Sequence, residues 1–102
     1  MNNTNQICVL GEKGLTLTPR EIKGLQNIFG SANISLQDVT VFGEGDEFRR
    51  GIVEKTSDVV PVLFPGRTDA GLIGRIKETG IIFTSVVEDP HTGKYFPVAS
   101  YG

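Results

Sequence analysis

The chain has 102 residues, 38% of them hydrophobic and 22% charged, which suits one compact domain, residues 1–102, and leaves too little for two. Ten basic residues against twelve acidic give a formal charge of −2, so attraction to phosphate backbones or anionic membranes is not expected, and no nucleic-acid partner is expected either. A lone cysteine rules out an intrachain disulfide, and no apolar run nears the roughly 20 residues of a membrane helix. Residues 1–5 also lack the basic start and apolar stretch of a signal peptide, so the expectation is a cytoplasmic protein without membrane insertion.

Residues 6–10, with the apolar run Ile7, Cys8, Val9 and Leu10, predict a short buried strand, ended by the turn residues Gly11 and Gly14. Thr18, Pro19 and Glu21 then make a capping box: the Thr18 hydroxyl and the Glu21 carboxylate each satisfy a backbone amide, and proline fits the first helical position. Ile22, Leu25, Ile28 and Phe29 share one helical face, and Gly30 stands where a left-handed residue closes the helix. A strand over 34–42 follows, its apolar residues switching parity between Leu36 and Val39, which implies either a bulge near Gln37 and Asp38 or burial on both faces.

The segment 43–57 is dense in charge and glycine and reads as the long loop of the protein. Residues 58–64 predict another strand with apolar residues on both faces, where Pro61 points to an edge or a bulge because it cannot donate to a ladder. Thr68 or Asp69 caps a second helix carrying Leu72, Ile73 and Ile76 and ending at Thr79 and Gly80, with Gly71 and Gly74 each weakening it by about 1 kcal/mol relative to alanine. A third two-faced strand over 81–87, a turn at 89–93 and a last extended segment over 94–101 complete the chain. The order β-α-β-β-α-β with a terminal strand predicts an α+β domain, a ferredoxin-like βαββαβ sandwich in which an antiparallel sheet carries both helices on one side.

Such a sheet would leave one apolar face bare. At about 25 cal/mol per Å², keeping 400 Å² of it in water would forfeit roughly 10 kcal/mol, comparable to a domain's whole net stability. Association through the sheet face or a sheet edge into a symmetric oligomer is therefore expected, the alternative being that the tail with Tyr95, Phe96, Val98 and Tyr101 folds back over the bare face.

Nothing in the chain composes a catalytic or metal-binding motif. Gly43, Glu44 and Gly45 fall short of a dinucleotide fingerprint, Gly93 and Lys94 of a Walker loop, and Cys8 and His91, each the only one of its kind, have no partner at metal spacing. Thr84 and Ser85 have no base within sequence reach. Arg49 and Arg50, beside Glu44, Asp46 and Glu47, read as a solvated loop that can also swing onto a phosphate or an acidic partner.

Residues 39–43 before the long loop, residues 48–51 within it, and residues 80–87 with 94–96 beyond resemble segments of the PII-like signalling superfamily, nearest its bicarbonate-transport and carboxysome-associated members. Phe48 stands where classical members carry a modified tyrosine, and their glycine-rich phosphate loop before Ile82 is missing. The resemblance implies a non-enzymatic trimer that binds an adenine nucleotide or related effector between protomers, with Gly43, Gly45, Arg49, Arg50 and Lys94 at the ligand and the 43–57 loop controlling a partner protein. The rival expectation is a small interaction or inhibitor protein that docks onto a macromolecule by an edge strand or the acidic loop and needs no ligand. A small ferredoxin-like enzyme, an isomerase or oxygenase, using His91 or an acidic residue of the loop as base is a third.

Overall fold

The computed structural model describes residues 5–30 and 32–101, apart from the side chains of Asn5, Ser100 and Tyr101. In chain order the elements are β1 (Asn5–Gly11), α1 (Pro19–Phe29), β2 (Ala32–Asp38), α2 (Gly45–Lys55), β3 (Val60–Leu63), α3 (Ala70–Glu78), β4 (Ile82–Glu88) and β5 (Tyr95–Tyr101). Single 3-10 turns at Val39–Phe42 and Pro65–Arg67 precede α2 and α3.

The α+β class holds, but the ferredoxin-like arrangement does not. The five strands lie in the order β2-β1-β3-β4-β5; β1 is parallel to both β2 and β3, β3 is parallel to β4, and β4 and β5 alone pair antiparallel. Connection length explains the pattern. Parallel neighbours need a crossover of a dozen or more residues, antiparallel ones only a turn. The segments 12–31, 39–59 and 64–81 are all long and each carries a helix, whereas 89–94 is a short turn.

The decisive correction concerns 43–57, which is not a loop. Asp46 and Glu47 sit in the first turn of α2 and Lys55 in its last, each matching the sign of the helix dipole at its end. Phe48 and Ile52, one turn apart, are buried. Gly51, which weakens the helix on propensity, is needed because the Phe42 ring lies directly on it, where a Cβ would collide with ring carbons.

Helix α2 also removes the reason for expecting subunits to share a core. Cys8, Leu10, Leu63 and Phe83 pack with Val39, Phe48, Ile52, Leu72 and Ile76, so α2 and α3 cover one sheet face. Ile7, Val9, Val62, Phe64 and Val86 pack with Leu25, so α1 covers the other. Alternate residues of β1 thus enter opposite layers, which is why its sequence is apolar throughout, as in parallel sheets sandwiched between helices. The tail does not fold over a face; as β5 it extends the sheet.

Two smaller expectations change with the topology. Pro61 lies neither at an edge nor at a bulge: β3 is central, but its ladder to β4 begins only at Val62, so the missing amide of Pro61 deprives no bond on that side. The parity switch after Leu36 is the end of β2, where the Asp38 carboxylate accepts from the Thr40 amide at 2.9 Å and starts the 3-10 turn. The α1 capping box forms as predicted, with Thr18 Oγ1 accepting from the Glu21 amide at 3.2 Å and Glu21 Oε1 from the Thr18 amide at 2.8 Å. Gly30, at φ 75°, closes the helix.

Candidate functional site

The carboxyl ends of the parallel strands are the natural place to look, because chain reversal between neighbouring crossovers opens a crevice there. Here the strand order reverses between β1 and β3, and beside it lies a cleft of about 340 Å³ lined by Glu12, Thr40, Asp69, Leu72 and Arg75. Its groups are already committed. Glu12 Oε1 accepts from the Asp69 amide at 3.0 Å, Asp69 Oδ2 caps α3 through the Leu72 amide at 3.2 Å, and Arg75 donates to the Gly43 carbonyl at 2.8 Å. Two carboxylates at the helix N-terminus occupy the place an anion would take.

The groove between α2 and α3 contains two of the residues singled out from the sequence, Gly45 and Arg49. It too is a packing contact. Arg49 Nε donates to the Thr79 carbonyl at 3.1 Å, and the Arg75 guanidinium stacks on the Phe48 ring at 4.2 Å while holding the Gly43 carbonyl. Gly43 and Gly45 take positive φ angles of 83° and 59° at the entry to α2, so their role is to turn the chain. Arg50 is exposed on α2 and lines neither cleft. The structure thus gathers Gly43, Gly45 and Arg49 in one region and gives them structural work, and it places Lys94 elsewhere.

Lys94 lies on the α1 side, in a cleft of about 390 Å³ shared with Arg20, Lys23, Asn27 and Tyr95. Arg20, Lys23 and Asn27 project from successive turns of α1; the turn 89–94 and the start of β5 form the facing wall. That wall is tightly built. The Asp89 amide donates to the Lys94 carbonyl and the Gly93 amide to the Asp89 carbonyl, both at 2.8 Å, and the Lys94 amide to Thr92 Oγ1 at 3.2 Å. Arg20 Nη2 bridges the cleft's upper end, donating to Glu88 Oε2 at 2.6 Å and to the Gly93 carbonyl at 2.9 Å. Gly93, at φ 70°, would bring a Cβ to 3.1 Å from that guanidinium, so glycine lets the arginine reach the turn.

At the lower end the Tyr95 ring lies against Gly24, where a Cβ would stand 2.7 Å from Cδ2, and meets Phe64 edge-on with centroids 6.0 Å apart. Burial, with Glu88 and Glu21 nearby, pushes the Tyr95 phenol above its ordinary range. Glu88 offsets the charge of Arg20, but neither Lys23 nor Lys94 enters an ion pair among the described residues. Two ammonium groups, an amide and the Arg20 guanidinium therefore border one concavity on a chain whose net charge is negative.

Only Lys94 of this set was expected at a ligand. The sequence did hold a signal for the rest: positions 20, 23 and 27 recur at helical spacing on α1, away from Leu25. What it could not show is that the β4–β5 turn returns to that stripe. Comparison with family models, curated proteins and solved structures finds no match to the chain. Among the described residues, no group of three or more His, Cys, Asp or Glu side chains could hold a metal ion, and no helix is long and apolar enough to cross a membrane.

Proposed function

We propose that this chain is a non-enzymatic regulatory protein that binds a small phosphate-bearing effector, an adenine nucleotide foremost, in the cleft between α1 and the β4–β5 turn. The observation that carries this reading is the convergence of Lys23 and Lys94, from opposite walls and without an ion pair among the described residues, on a cleft of a size that suits a small metabolite. Lysine ammonium groups are point charges suited to phosphate oxygens, and the Asn27 amide adds a neutral donor. A ligand held by both lysines ties α1 to the hairpin. That contact steadies β5, whose Phe96 and Val98 face solvent, each 43% exposed, and so favours one presentation of this edge to a partner protein.

The test is thermal unfolding with a panel of adenine nucleotides, pyrophosphate and inorganic phosphate, repeated on Lys23→Ala/Lys94→Ala. At a hundred times the dissociation constant the ligand should stabilise the wild type by about 2.7 kcal/mol. The double variant should need roughly tenfold or more ligand for the same shift, as loss of about 1.4 kcal/mol implies. A wild type indifferent to the whole panel would remove the reading.

A further inference from the structure

Among the described residues, strand β2 is one of the two edges of the sheet, pairing through β1 alone over Ala32–Asp38. Edges of soluble domains are ordinarily blunted by lysine, proline, a bulge or a covering element. The other edge, β5, contains Pro97. β2 contains no lysine, proline or glycine, and its register with β1 runs unbroken over seven pairs. Alongside it, Leu17, Ile22, Ile34 and Leu36 line an open apolar groove of about 270 Å³, in which Leu36 is 46% and Ile22 36% exposed.

The order of residue types along this edge says what would cover it. About Ser35 the strand is symmetric in chemistry: Ile34 and Leu36 are apolar, Asn33 and Gln37 are amides. Antiparallel pairing with a second copy about a twofold axis at Ser35 sets Ile34 opposite Leu36 and Asn33 opposite Gln37, twice each. The apolar pairs fall on the α1 side, continuous with the two grooves, and the amide pairs on the other. The one charge of the strand, Asp38, falls opposite Ala32, so no like charges meet, and its carboxylate is already occupied by Thr40. A strand of unrelated sequence would have to supply this alternation; a second copy has it by symmetry.

We propose that the protein associates into a twofold dimer through β2, forming one continuous sheet of twice the width, independently of any ligand in the basic cleft. The test is sedimentation velocity over a concentration series on the wild type, Leu36→Lys, Asn33→Lys and Val98→Lys, the last altering the opposite edge, with hydrogen exchange of the β2 amides alongside. The wild type and Val98→Lys should rise with concentration to twice the 11.0 kDa chain mass, with concentration-dependent protection of β2. Leu36→Lys and Asn33→Lys should stay at the single-chain mass; Asn33 is exposed in the single chain, so its variant tests the interface even if Leu36→Lys misfolds. A wild type that stays at one chain mass, a trimer, or a dimer that survives Asn33→Lys but not Val98→Lys would each overturn the proposal.

Discussion

Arg67 offers a test of how the carboxyl edge of the sheet is held. Its Nη1 donates to Glu21 Oε1 at 2.6 Å and its Nη2 to the Thr16 carbonyl at 2.9 Å, fastening the turn after β3 to the start of α1. Side-chain exposure is 39% for Arg67 and 4% for Glu21, so Arg67→Ala strips the charged partner from a buried carboxylate. Breaking a fully buried pair costs about 3–5 kcal/mol; because the arginine is partly in water, the effect here should be discounted to about 2 kcal/mol. For a chain this long that lowers Tm by roughly 8–16 °C. Urea unfolding should show a lower midpoint at unchanged slope. Glu21→Gln keeps the amide acceptor of the capping box while removing the charge, so Arg67→Ala/Glu21→Gln should be more stable than Arg67→Ala alone by about 1 kcal/mol. Loss of less than about 0.5 kcal/mol in the single variant, or strictly additive effects in the double, would refute the reasoning.

Gly24→Ala gains about 1 kcal/mol of helix propensity but drives Cβ into the Tyr95 ring, so net destabilisation of about 1–2 kcal/mol is expected by urea titration, with Tyr95→Ala removing the clash. Gly51→Ala should be worse, by about 2–3 kcal/mol, since the Phe42 ring that the new Cβ would meet is itself packed against the core; a stabilised variant would contradict the packing. Burial pushes the Cys8 thiol up, against smaller opposing pulls from Ser35 and Lys55. The unfolded thiol therefore loses its proton first, and this contribution to stability is intact below about pH 8.5 and declines as pH rises above it. The stability difference between wild type and Cys8→Ala, followed by urea unfolding from pH 7 to 10, should shrink accordingly.

What the sequence made legible were the elements whose boundaries carry their own chemistry. The Thr18–Glu21 box, Asp69 as cap of α3 and the 89–93 turn all act over three or four residues, and all stand where they were expected. Helix α2 was hidden because its local signals conflict: Gly45 and Gly51 speak against a helix, and its only buried side chains are Phe48 and Ile52. The glycine that argues against the helix locally is demanded by the Phe42 ring, a contact the tertiary structure alone creates. That one helix decides the topology, since a loop between β2 and β3 permits an antiparallel pair and a bare sheet face, whereas a crossover helix brings parallel strands and two covered faces. The basic cleft was half legible for a related reason: helical spacing aligns Arg20 with Lys23, but their meeting with Lys94 spans about 70 residues of chain and depends on the Arg20–Glu88 bridge.

The position of β1 bears on how the chain reaches this state. It is first in sequence yet interior in the sheet, and it waits for two later segments, β2 and β3, to find both its flanks. Such distant pairings are closed only after considerable loop entropy has been lost, whereas β4 and β5 can zip together across their six-residue turn. Folding should therefore begin at the carboxyl-terminal hairpin and be limited by the docking of the amino-terminal strand, so that during synthesis Cys8 and its neighbours stay open to solvent until β4 and β5 have left the ribosome.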